Sequence, residues 1–108
     1  MSPDDFRTIA LSLPRVIESA HMHHPDFRID GKIFASLGYP DAGFGVVMLS
    51  PQAQKQFCEA DPAAFVPVKG AWGRNGSTQV NLKAAKKTTL RPALKAAYED
   101  RVRKNGKR

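Results

Sequence analysis

Residues 26–37 read Asp26-Phe27-Arg28-Ile29-Asp30-Gly31-Lys32-Ile33-Phe34-Ala35-Ser36-Leu37. Phe27 and Ile29 alternate with Arg28 and Asp30, the period of a strand with one buried face. Asp30-Gly31 supplies two residues that favour positive φ, as a two-residue hairpin turn requires. Lys32 to Leu37 is then the returning strand, carrying Ile33, Phe34, Ala35 and Leu37. The chain is therefore expected to build a sheet around this hairpin.

On the N-terminal side the period is helical. Ser2 is placed to cap a helix, Pro3 suits its first position, and Asp5 sits three residues after the cap. Asp4 and Asp5 complement the positive end of the helix dipole. Phe6, Ile9, Ala10 and Leu13 recur on one face, and Pro14 is expected to end the run. On the C-terminal side, Gly38, Pro40, Asp41 and Gly43 form a turn, and Phe44 to Leu49 reads as a central strand. Ser50-Pro51 repeats the cap-then-proline start, predicting a short helix of about Pro51 to Ala60 that Asp61-Pro62 breaks. Residues 67–77 read as loop, and Thr78 to Leu82 alternates as a strand.

A last helix is expected from about Thr88, with that threonine as cap and Pro92 in its first turn. Leu90, Leu94, Ala97, Tyr98 and Val102 would form its buried stripe. The order is thus helix, hairpin, strand, helix, strand, helix. No crossover helix joins successive strands. The expected class is α+β: a two-layer sandwich of an antiparallel sheet flanked by N- and C-terminal helices.

The chain of 108 residues suits one domain, 1–108, with a basic tail over about 103–108. It is 42% hydrophobic and 25% charged, which excludes a disordered tail or a disulfide scaffold. No internal repeat is found. No apolar run approaches the roughly 18 residues that a membrane helix needs. The opening MSPDDF carries two acids where a secretory leader carries lysines, so a cytoplasmic location is expected. Cys58, the single cysteine, reads as a structural thiol on a helix.

The net charge of +7 is unevenly placed. Residues 1–82 hold seven Lys/Arg and eight Asp/Glu, whereas residues 83–108 hold ten against Glu99 and Asp100 alone. Lys87, Arg91 and Lys95 are four apart and fall on one helix face. With Lys83, Lys86 and Arg101, and with Lys69 and Arg74 from the loop, they form a candidate phosphate-tracking surface. The alternative is a solvated helix face that keeps the protein soluble.

Three further features bear on chemistry. His21, His23 and His24 invite a metal, with His21 and His23 sharing a face on a strand or His21 and His24 on a helix. No HExxH or Cys/His ligand spacing accompanies them, so no metal is assigned. Ser19, His21 and Asp26 make a triad on paper, but GxSxG is absent and no catalytic residue is assigned. The loop Lys69-Gly70-Ala71-Trp72-Gly73-Arg74-Asn75-Gly76 is neither a Walker loop nor GxGxxG. Trp72 either packs on the core edge in a tight turn or stacks on a ligand ring. A ligand site between the histidines and this loop would be bordered by His21, His24, Arg28, Lys32, Trp72 and Arg74. Those cations beside one aromatic suit a small anionic ligand or a protein partner.

Two segments carry a resemblance. Residues 18–35, which contain Glu18, His21, His24-Pro25-Asp26-Phe27-Arg28, Gly31-Lys32 and Phe34-Ala35, resemble the signature of the MmcQ/YjbR proteins. Residues 67–82, with Gly70, Trp72-Gly73-Arg74, Gly76, Thr78, Val80 and Leu82, resemble that family's second characteristic segment. Leu90, Ala93, Leu94 and Ala97 fit its closing helix, with Tyr98 where relatives often place tryptophan. The resemblance covers nearly the whole chain. It implies a CyaY-like α+β sandwich and a non-catalytic, DNA-binding role without a cofactor. The frataxin-like shape also suggests iron, but this chain lacks the acidic ridge that such a role needs. The expectation is a monomer that binds DNA nonspecifically and salt-sensitively and does not engage membranes.

Overall fold

The computed structural model describes residues 1–106. Among them are four helices and a six-stranded antiparallel sheet. In chain order the elements are α1 (Pro3–Leu11), β1 (Ile17–His21), β2 (His24–Ile29), β3 (Lys32–Leu37), β4 (Phe44–Met48), α2 (Pro51–Ala60), β5 (Phe65–Pro67), α3 (Ala71–Arg74), β6 (Ser77–Asn81) and α4 (Lys87–Gly106). The sheet order is β1-β2-β3-β4-β6-β5. No helix among the described residues is long and apolar enough to cross a membrane.

The elements anticipated from pattern are present. The Ser2 hydroxyl accepts from the Asp5 amide, and the Asp5 carboxylate accepts from the Ser2 amide, closing a capping box. Helix α1 ends at Leu11, before the expected stop at Pro14. Asp30 and Gly31 turn the central hairpin with φ of 53° and 79°. The Ser50 hydroxyl caps α2 by accepting from the Ala53 amide.

Other expectations are corrected. Two edge strands, β1 and β5, and the short helix α3 add to the expected elements, α3 within the stretch 67–77 that reads as loop. β1 is exposed along its whole length, so it carries no alternation to detect. α4 begins at Lys87 rather than being capped by Thr88, and Pro92 is its sixth residue rather than in its first turn. The expected tail is helical through Gly106; Lys107 and Arg108 lie outside the described residues.

Register fixes the two faces of the sheet, because directly paired residues share a side. Phe27, Ala35, Val47 and Thr78 form one row across β2, β3, β4 and β6. Leu37, Gly45, Val80 and Phe65 form the next. These rows meet α1 and α4: Phe6 lies against Gly45, and Leu90, Ala93, Leu94 and Ala97 of α4 are buried in the same core. β3 carries three consecutive apolar residues, Ile33, Phe34 and Ala35, which strict alternation cannot bury. A bulge opposite Phe27 and Arg28 resolves this by making Phe34 the extra residue. Phe34 then meets Tyr98 of α4 edge-on at 5.8 Å. The Tyr98 hydroxyl donates to the Pro14 carbonyl at 2.8 Å, tying α4 to the turn that follows α1.

The opposite face carries the row Ser19, Asp26, Ser36, Val46, Gln79 and Val66. Among the described residues α1 and α4 pack on the other face, while Tyr39, between β3 and β4, and Trp72 of α3 stand over this one.

Candidate functional site

A pocket of about 220 Å³ opens on this face. Val46, Met48 and Val68 make its apolar part, His21, His24, Ser36 and Ser77 its polar part, and Tyr39 and Trp72 its aromatic walls. β1 and β2 bring the histidines there. Met22 and His23 form a two-residue turn, with φ of 49° and 68°, that sets His21 directly opposite His24. Their rings lie 6.2 Å apart, centre to centre. This is neither of the histidine arrangements expected: the pair is made across a hairpin, and His23 sits in its turn. Among the described residues no three His, Cys, Asp or Glu side chains converge as a metal-ligand set.

Asp26 anchors the site. It has no exposed surface, and its carboxylate accepts from Arg28 Nε at 2.7 Å and Nη2 at 3.1 Å. His21 Nδ1 lies 2.8 Å from its second oxygen. The Arg28 guanidinium holds the Asp26 carboxyl below the usual carboxylate range, and the His21 hydrogen bond adds to this against the opposing cost of burial. Asp26 in turn raises Arg28. With Nδ1 committed to Asp26, His21 keeps Nε2 for whatever enters the pocket. Aspartate holding a histidine in this way is half of a catalytic triad. The other half is missing, because no hydroxyl or thiol among the described residues is hydrogen-bonded to His21.

The tryptophan turn is held tightly although its side chain is not. A Cβ on Gly73 would stand 1.6 Å from the Val68 carbonyl oxygen, and one on Gly76 1.8 Å from that of Leu49, so only glycine fits at either position. Gln54 of α2 donates to the Gly73 carbonyl at 2.8 Å and to that of Ser77 at 3.1 Å. Yet Trp72 is 67% exposed. The indole is thus not part of the buried core; it borders the pocket beside Val46, Met48 and Val68.

The remaining site residues separate into groups. Arg28 is spent on Asp26. Lys32 begins β3 at the turn end of the hairpin, about 16 Å of strand from His24, and does not line the pocket. Lys69 and Arg74 flank the tryptophan turn, exposed, and also stay outside the lining. Lys83, Lys86, Lys87, Arg91 and Lys95 are exposed and Arg101 half-buried, on or just before α4. They therefore belong to the helical layer, across the sheet from the pocket. Lys87 is 3.5 Å from the Asp5 carboxylate, and Arg103 and Lys104 pair with Asp100, which discounts part of the C-terminal charge.

Sequence reasoning missed Ser36, Tyr39, Val46, Met48, Val68 and Ser77 as pocket residues. Counting outward from the Asp30-Gly31 turn would put Ser36 on the core face with Phe27; the bulge that makes Phe34 the extra residue moves it to the opposite face, beside Val46, and local pattern does not announce that bulge.

Comparison with known proteins agrees with this architecture. The crystal structure of the Deinococcus radiodurans protein DR2400, a DUF419 domain, superposes with a TM-score of 0.80 at 16% identity. The superposition covers 99% of this chain and 83% of that one. No curated protein matches the sequence. The YjbR family matches residues 11–100, which include the histidine hairpin, the tryptophan turn and most of α4. The chain belongs to the YjbR family.

Proposed function

We propose that this protein binds nucleic acid without sequence preference, through the solvent side of α4. One observation carries this: Lys87, Arg91 and Lys95 are exposed at successive turns of a helix whose other side is buried in the core. Lys83 and Lys86, also exposed, extend the patch toward the start of the helix. Such a rigid row of cations suits contact with successive phosphates, which fix position but carry no base information. Packing of the apolar stripe into the domain core leaves only this charged side for a partner.

The test is fluorescence anisotropy of a labelled duplex at low salt. A Lys87→Gln/Arg91→Gln/Lys95→Gln variant changes only exposed side chains and gives up one surface ion pair, Lys87 with Asp5, so its fold should be retained. Weaker binding by the variant is the expected result. Equal affinity would assign the basic face to solubility alone.

A small-ligand role has its own support, since His21, His24 and Trp72 share one pocket. The charge expected of that ligand needs revision. Arg28 is neutralised by Asp26 and Lys32 lies outside, so the pocket offers no fixed, unpaired cation to an anion.

A further inference from the structure

We propose that the pocket on the sheet face opposite α1 and α4 binds a small planar heterocycle of the nucleobase class. The ring would lie against Trp72, with its polar edge toward Ser36, Ser77 and His24. The inference deepens the small-ligand role and is independent of the α4 surface.

Four observations converge. First, Trp72 and Tyr39 are 67% and 46% exposed, and both border the same pocket. Exposed aromatic faces beside an apolar floor of Val46, Met48 and Val68 suit a flat ring, whose stacking depends little on its identity. Second, the backbone is committed to holding Trp72 there. The close approaches at Gly73 and Gly76 and the two Gln54 hydrogen bonds fix the turn, although the indole contributes little to the core. Such rigidity limits the ordering cost of binding.

Third, the polar groups are open. Among the described residues the hydroxyls of Ser36, Ser77 and Tyr39 and the indole Nε1 of Trp72 make no hydrogen bond, and none is sealed from solvent. A purely apolar ligand would strip water from these groups and leave them unpaired. A heterocycle with ring nitrogens and exocyclic donors or acceptors would satisfy them. Fourth, about 220 Å³ lies below the roughly 300–1,000 Å³ of sites for drug-sized ligands. That size fits a single ring system of base dimensions, with the rest of any larger ligand left outside in solvent.

The base could come from a free nucleoside or from an unpaired position in a strand. Trp72 is the only tryptophan, so intrinsic fluorescence reports on this site. The experiment titrates the whole chain with adenosine, cytidine and a short single-stranded oligonucleotide, following Trp72 emission and the amide shifts of Ser36, Met48 and Ser77. Saturable emission change with matching shifts at these three amides is expected. Tighter binding of the oligonucleotide than of either nucleoside assigns a strand as the source, and the reverse assigns the free nucleoside; both support the site.

Trp72→Leu, read by the amide shifts, should weaken binding by about fivefold to a hundredfold, and Ser77→Ala should weaken it less. Nucleoside binding should be unchanged in the Lys87→Gln/Arg91→Gln/Lys95→Gln variant, which separates this test from that of the α4 surface. No saturable response to any of the three probes overturns the proposal. So does a response that Trp72→Leu leaves intact.

Discussion

Asp26 sits with no exposed surface on the sheet face opposite α1 and α4, and stays ionised because Arg28 and His21 hydrogen-bond to it. Its carboxyl is held below its ordinary value, so its contribution to stability is fully present above the unfolded-state value near pH 4 and is lost as pH falls through the lower folded value. Thermal melts followed by circular dichroism should therefore show no contribution from this group to the change between pH 7 and pH 5, and a fall in Tm below about pH 4. Asp26→Asn should lower Tm at pH 7 and flatten that acid-side fall. An unchanged Tm and acid slope in the variant would contradict the role given to this carboxylate. At the same scale, the pocket's polarity depends on where each cation is committed. In sequence Arg28 reads either as a ligand-binding cation or as the salt-bridge partner of a neighbouring carboxylate; the burial of Asp26 on the same face gives the pair.

Among the elements, the two hairpins share a turn geometry but not a turn sequence. Asp30-Gly31 announces its turn; Met22-His23 adopts the same left-handed conformation without glycine or asparagine. A side chain in that region costs about 1–2 kcal/mol, offset in part by the entropy that glycine loses on folding. His23→Gly is accordingly expected to stabilise the protein by about 0.5–1 kcal/mol in urea denaturation, with the m-value unchanged. Equal or lower stability would mean that the His23 side chain contributes more than its conformation costs. This contrast also explains what was legible in the sequence. α1, α2, the central hairpin, β4 and β6 announce themselves through caps, turn residues and a buried stripe or alternation. β1 is exposed throughout, β5 has three residues and α3 four, so none has a period long enough to read. Those three elements position His21, Val68 and Trp72 around the pocket. The histidine and tryptophan segments could be singled out by residue type and set around one candidate site; which of its residues line the pocket depends on edge pairing that local pattern does not encode.

Across the whole molecule the sheet separates two surfaces. One side carries α1 and α4 with the exposed Lys87, Arg91 and Lys95; the other carries the pocket between His21, His24 and Trp72. The described chain is small, with a Cα radius of gyration of 12.4 Å, yet a duplex docked on α4 need not touch the pocket. The proposed phosphate binding by the helical layer and the proposed ring binding by the sheet therefore use separate surfaces, and a variant that removes one is expected to leave the other. The central claim is that α4 tracks phosphates, and salt dependence tests it most directly. Duplex affinity should be measured by anisotropy over a series of salt concentrations, for the parent chain and for the Lys87→Gln/Arg91→Gln/Lys95→Gln variant. The parent is expected to show log affinity falling linearly with log salt, by about 0.9 per phosphate neutralised, and the variant a slope shallower by up to about 2.7, the share of three contacts. A parent slope near zero, or the same slope in both proteins, would contradict it.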